Sequence, residues 1–287
     1  MHVPVMLGEC LEYLAVRPDG TYLDATAGLS GHTAAIAARL TTGLVIANDR
    51  DADSLRLAES NTAQWANRIR YHQGSFAELR SALDGLGIDR VDGLLADLGV
   101  SRYQLTDPER GFSLMADGPL DMRMDRSQSR TAEEIVNFTS EKELADLIYR
   151  LGEERRSRRI SRAIVRARPI HTTQRLSSVI AGAVPRTGKL HPATQTFMAL
   201  RMAVNDEQGQ LDQLLAVAPD VVKTGGRIVI VSFMSLEDRK VKQSFQALAQ
   251  AGRATILTRH VVRPAPEEIK NNPPSRSARL RAVEMKQ

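Results

Sequence analysis

Hydrophobic and polar positions along the chain follow two periods. Short apolar runs bounded by Gly, Pro, Asn or Asp fall at residues 22–25, 43–47, 68–73, 91–98, 225–233, 255–262 and 277–283, and each predicts a strand. Spacings of three and four predict helices over 2–14, with Val3, Met6 and Leu7 as the apolar side, and over 33–40, 51–66 and 236–251. Strands alternating with helices predict an α/β fold, a doubly wound and mostly parallel seven-stranded sheet that binds ligands at the carboxyl ends of its strands. From residue 120 to 205 the alternation stops. Only helical patterns remain there, at 131–138, 140–149, 153–168, 176–184 and from 193 onward. The expected organisation is a discontinuous sheet domain, 1–119 with 206–287, carrying an inserted all-α domain at 120–205.

Composition narrows the class. The 287 residues are 42% hydrophobic and 25% charged, in keeping with a globular protein large enough for a substantial core. Cys10 is the single cysteine, which rules out an internal disulfide and a Cys-based zinc site, and the six histidines have no ligand spacing, so no metal is expected. No apolar run nears the ~18 residues of a membrane span, and the N-terminus lacks a signal-like pattern, so a cytoplasmic protein with no membrane partner is expected.

Charge is unevenly spread. The net +5 conceals a stretch from Arg155 to Asn205 that has no Asp or Glu and eleven basic residues, Lys189 among them. At 100° per residue Arg155, Arg158, Arg159, Arg162 and Arg166 fall on one face, with Ile160, Ala163, Ile164 and Ala167 beside them. A solvated charged face is the competing reading, but such faces usually mix signs. Arginine forks match phosphate oxygens, so this face is a candidate RNA contact. Arg201 and Asn205, one turn apart, are candidates either for substrate contact or for a structural pair.

The stretch from Thr21 to His32 carries the candidate chemistry: a strand, a tight turn with Gly28 and Gly31, and a helix N-terminus. A dinucleotide fingerprint needs a third glycine, and no P-loop lysine is present. Asp49 ends the second strand about 20 residues on, where a ribose-hydroxyl acceptor belongs. An adenosyl ligand without phosphates fits both facts and points to S-adenosylmethionine. The competing reading is a glycine needed only for helix–strand packing. Phe76 and Asp97 fall at the same edge, after the third strand and at the end of the fourth, with Asp24 at the end of the first.

Longer motifs carry a resemblance that runs essentially end to end. The residues are His2-Val3-Pro4-Val5-Met6, Asp24 through His32, Asp49-Arg50-Asp51, Asp97-Leu98-Gly99-Val100-Ser101 with Gln104-Leu105, and Arg110-Gly111-Phe112-Ser113. Gly118-Pro119-Leu120-Asp121-Met122-Arg123-Met124-Asp125, His191-Pro192-Ala193-Thr194, Ser235 through Arg239 and Arg276 through Arg281 continue it. On these the chain resembles the ribosomal RNA small subunit methyltransferase H family. That resemblance implies a class I S-adenosylmethionine-dependent methyltransferase acting on the exocyclic N4 of a cytidine in the decoding region of 16S rRNA, within the 30S subunit. It implies that Ser30, Gly31 and His32 hold the methionine end of the cofactor, Asp49 the ribose and Phe76 the adenine, with Asp97 and Gln104 completing the pocket. Two positions depart from the family, which has a glycine where Ser30 stands and a histidine where Met234 stands.

Methyl transfer to an amino group whose lone pair is delocalised needs an acceptor for an amino proton, and Asp97 and Asp121 are the candidates. A stacked base must be everted to reach the donor. Two rivals stand beside this reading: a nicotinamide-dependent oxidoreductase, and an RNA-binding ribosome-assembly factor without catalysis. A homodimer is compatible with the sequence.

Overall fold

The computed structural model describes residues 4–186, 188 and 190–287. His2, Val3 and Lys189, named above, lie outside the described residues. The chain divides into two compact units, Met1–Gly99 with Gln208–Gln287, and Val100–Glu207.

The first unit is layered around a seven-stranded sheet. In chain order its elements begin with α1 (Leu7–Leu14), β1 (Thr21–Asp24), α2 (Gly31–Ala37), β2 (Leu44–Asp49), α3 (Ala52–Asn61), β3 (Ile69–Gln73), α4 (Leu79–Gly85) and β4 (Val91–Asp97). The second unit contributes α5 (Arg102–Thr106), α6 (Ala132–Phe138), α7 (Glu141–Gly152), α8 (Ser157–Ala167), α9 (Thr173–Ala183) and α10 (Thr194–Val204). The chain then continues with α11 (Glu207–Val221), β5 (Val222–Ser232), α12 (Ser235–Gln250), β6 (Ala254–Ile256), α13 (Pro266–Asn271) and β7 (Arg279–Met285).

The strand order is β3-β2-β1-β4-β5-β7-β6. β1 pairs in parallel with β2 and β4, β2 with β3 and β4 with β5, while β7 runs antiparallel to both β5 and β6. Successive strand residues alternate between two cores, which is why the strands read as continuous apolar runs. Leu23, Ile46, Leu94, Ile228 and Ile230 face one core with Leu83, Leu214 and Phe245. Tyr22, Val45, Leu95, Val229 and Val231 face the other with Leu14, Ile36 and Leu55. β2 and β3 lie to one side of β1, β4 and β5 to the other, so the order reverses between β1 and β4, where such sheets bind ligands.

The strand expected over 255–262 is shorter than its pattern. Only Ala254–Ile256 pairs as β6, because the Thr258 hydroxyl, at 3.0 Å, takes the Ala282 amide that a continuing strand would have taken. Val262 rejoins through an isolated bridge to Leu280.

Among its described residues the second unit has helices, an irregular segment before them and an isolated bridge between Pro119 and Thr172, but no strand. Its helices start where capping boxes supply oxygens to free amides: Thr131 with Glu134, and Ser140 with Glu143. Its core gathers Leu144, Ile148, Ile160, Ile164, Leu176, Phe197 and Leu200. The unit begins at Val100, not at residue 120 as the strand pattern suggested. Phe112, Leu120 and Met122 are buried in this core, with Val100 and Leu114 against it, so the irregular segment belongs to the helices.

Candidate functional site

Three carboxylates end strands at the carboxyl edge of the sheet: Asp24 on β1, Asp49 on β2 and Asp97 on β4. The strand register brings Asp24 beside Ala47 and Leu95 and sets Asp97 beside Val231. Asp24 is buried; its Oδ2 accepts the Thr33 hydroxyl at 2.6 Å and its Oδ1 the Thr26 amide at 3.1 Å. Asp49 is half-buried and accepts the Gly28 amide at 2.7 Å and the Asp51 amide at 2.9 Å. Burial pushes both carboxyls up, from 3.8 to about 6, against these hydrogen bonds. Asp97 is pushed well above the ordinary carboxylate range, by burial and then by the negative Asp24, Glu237 and Glu268. Its amide donates to Thr26 Oγ1 at 2.6 Å, while its buried Oδ1 has no partner among the described residues. Three carboxyls held this way, with no basic side chain charged at neutral pH bonded to them among the described residues, make an edge suited to a cationic, hydroxyl-bearing ligand.

His32 sits in the first turn of α2 and is buried. Its Nε2 lies 3.0 Å from the Val5 carbonyl, and its Nδ1 lies 3.8 Å from Asp97 Oδ2. Burial pushes the imidazole down to about 4, so at neutral pH it is uncharged and the contact with Asp97 is not an ion pair. A carbonyl only accepts, so the one ring proton sits on Nε2, leaving the Nδ1 lone pair toward Asp97.

The turn residues behave differently from one another. Gly28 has φ 51° and spends its amide on Asp49. Ser30 also takes a left-handed conformation, φ 65°, which explains why a glycine suits that position; its hydroxyl lies 3.3 Å from the Tyr71 hydroxyl. At Gly31 a Cβ would meet the Pro4 ring at 3.0 Å, so its missing side chain serves packing. Phe76 follows β3, half-buried against the first core, and its amide donates to Gln210 Oε1 at 3.3 Å.

The other sequence candidates lie in the second unit. Gln104 is buried and accepts the Ser101 amide at 2.9 Å in a capping box that opens α5. Asp121 is forked onto Arg123 at 2.7 and 2.8 Å. Burial works against its ionisation, yet Arg123 and its amide hold the carboxyl below the ordinary range. Arg155, Arg158, Arg159, Arg162 and Arg166 are exposed, while Ile160 and Ile164 of α8 are buried. Arg162 pairs with Glu141 of α7 at 3.5 Å, and the other four have no ion pair among the described residues.

Arg201 does not join that face. It forks onto Glu207 at 2.7 and 2.9 Å, and Asn205 bonds the Met124 amide and the Met122 carbonyl, so both are structural. The basic excess is also not confined to one stretch: residues 236–287 hold eleven Lys or Arg against five Asp or Glu. Glu237 and Glu268 were missed as neighbours of Asp97, because one follows β5 and the other sits on α13, far from any glycine turn. Met234 precedes α12 and donates its amide to Glu237 Oε2 at 3.1 Å. No group of His, Cys, Asp and Glu suited to a metal occurs among the described residues, and no helix among them is long and apolar enough to cross a membrane.

The sheet order, the single antiparallel strand and the acidic edge at the reversal point define a class I S-adenosylmethionine-dependent methyltransferase fold. A solved structure, the putative rRNA-methylase from Clostridium thermocellum, shares it with a TM-score of 0.50 and 12% identity, covering 99% of this chain and 100% of the other. The model of the MraW methylase family matches residues 1–286, and the chain belongs to that family. A relative from Solibacter usitatus, named ribosomal RNA small subunit methyltransferase H, is 64% identical over 286 residues, all of both chains. One of the same name from Acidobacterium capsulatum is 48% identical over 99% of this chain and 98% of its own.

Proposed function

We propose that this protein methylates the exocyclic N4 of a cytidine in the decoding region of 16S rRNA, using S-adenosylmethionine and acting in the cytoplasm on the 30S subunit. The observation that carries the reading is the Asp97 carboxyl: half-buried at the reversal point of the sheet, with its buried Oδ1 unbonded and no basic partner charged at neutral pH among the described residues. The residues fit the cofactor, since a cationic sulfonium and ammonium favour the ionised form of three carboxyls that burial otherwise holds toward the neutral one. When bound, it supplies an electrophilic methyl group.

Asp49 keeps lone pairs for ribose hydroxyls although two amides hold it in place. Phe76 offers an apolar face to the adenine, and the turn at Ser30, Gly31 and His32 receives the methionine end. Asp97 is the better proton acceptor of the two candidates. Asp121 spends both oxygens on Arg123 and has a lowered pKa, whereas Asp97 has an open oxygen and a raised one. Catalysis is then alignment, water exclusion and acceptance of one amino proton. Arg155, Arg158, Arg159, Arg162 and Arg166 grip phosphates flanking an everted base.

The test uses small-subunit particles from cells lacking the protein, incubated with it and labelled donor, followed by mass spectrometry of the rRNA nucleosides. New N4-methylcytidine is expected with the wild type and not with Asp97→Ala. Binding to the particle without any transfer would mean an assembly factor instead.

A further inference from the structure

The N-terminal segment that reaches the acidic edge is held by a residue from the other end of the chain. Met6 is buried and takes a left-handed backbone, φ 52°, just before α1. Its amide donates to Glu268 Oε1 at 2.8 Å, across 262 residues of sequence. The neighbouring Val5 is also buried, and its carbonyl receives His32 Nε2 at 3.0 Å. Pro4 packs its ring over Gly31, one residue before His32. Residues 4–6 therefore touch the cofactor turn at two points, and Glu268 of α13 is the tether on their far side.

We propose that Glu268 is a positioning residue: through the Met6 amide and the Val5 carbonyl it fixes His32 in the tautomer with the proton on Nε2. Once Asp97 is ionised, the Nδ1 lone pair and the Asp97 carboxylate, 3.8 Å apart, present two acceptors to the same space, with no donor between them among the described residues. Two acceptors so placed repel each other unless a donor or cation lies between them, and the ammonium of an amino-acid moiety has that chemistry. In the other tautomer His32 would turn an N–H toward Asp97, satisfy it internally and remove the need for the ligand. A single hydrogen bond from α13 thus keeps the site open to an ammonium. The proposal rests on the methyltransferase reading for the identity of the ligand, but the tautomer does not depend on it.

Two measurements test it. Nitrogen-15 NMR of the ligand-free chain, with the His32 signal assigned from a His32→Gln spectrum, should show the wild type wholly in the Nε2–H form. Glu268→Ala should show a mixture, and Glu268→Gln, which keeps an acceptor for the Met6 amide, should match the wild type. Calorimetric titration with S-adenosylmethionine should show a dissociation constant raised about tenfold in Glu268→Ala, the scale of one charge-assisted hydrogen bond, and within about twofold of wild type in Glu268→Gln. An Nδ1–H form in the wild type overturns the proposal even if Glu268→Ala does not fold. So does a Glu268→Ala protein with unchanged tautomer and affinity, or a Glu268→Gln protein as impaired as the alanine variant. A wild type that shows the Nε2–H form yet has no affinity for S-adenosylmethionine overturns the functional reading and the ammonium assignment, and leaves the tether intact.

Discussion

Replacing Asp24 with asparagine should stabilise the ligand-free protein, and by more at pH 8 than at pH 5. The carboxyl is buried at the end of β1, and its value in the folded protein rises from 3.8 to about 6. Because the folded value lies above the unfolded one, the native state holds the proton more tightly. That contribution is complete below about pH 4 and is lost as pH rises through about 6. The shift of about two units corresponds to about 3 kcal/mol once Asp24 is ionised in both states. Roughly half of this has been lost by pH 5 and nearly all by pH 8, so the advantage of Asp24→Asn should widen by about 1.5 kcal/mol between them. Asparagine can still accept the Thr26 amide and donate to the Thr33 hydroxyl, which is able to accept, while it offers one acceptor fewer to the Thr33 amide that also bonds Asp24. It also removes a negative neighbour that raises Asp97 and Asp49. Urea unfolding of both proteins at pH 5, 6, 7 and 8 measures the gap. A gap that stays flat over that range, or an asparagine variant less stable than wild type at pH 8, would refute the premise that this edge holds unneutralised charge.

Three further outcomes follow from the geometry. Changing Arg158, Arg159 and Arg162 together to glutamine should weaken binding to a small-subunit rRNA fragment and lower the slope of log affinity against log salt by about 0.7–0.9 per lost phosphate contact; an unchanged slope means the face does not touch RNA. Arg201→Ala breaks a mostly buried fork and should cost about 3 kcal/mol in urea unfolding, with the salt slope unaffected. Ser30→Gly relieves a left-handed backbone at the expense of the Tyr71 contact, so thermal unfolding should rise by the equivalent of about 0.5–1 kcal/mol; a fall would show that the hydroxyl contact outweighs the strain.

Much of the fold is legible in the chain because its causes are local. A strand buried on both faces must be apolar throughout, a helix must repeat its apolar side every three or four residues, and a free amide at a helix start attracts Asp, Ser or Thr. Asp51 caps α3 in this way, taking the Asp53 and Ser54 amides. Seven strands, the helical segment between β4 and β5 and the acids at strand ends follow from such rules. The start of the second unit does not, since an irregular segment joins whichever core its apolar residues reach, and those of 100–122 reach the helical one.

Sequence by itself determined which residue types stand at the sheet's carboxyl edge and which helix carries an arginine face. Tertiary structure alone decided which of those charges are already spent: Arg201 on Glu207, Asp121 on Arg123, and Asp97 with an oxygen left over. It also decided the protonated nitrogen of His32, through a tether from residue 268 to residue 6. The reason is physical. Periodicity records which way a side chain faces relative to its own backbone, whereas a hydrogen bond between residues 262 positions apart leaves no trace in the spacing of either segment.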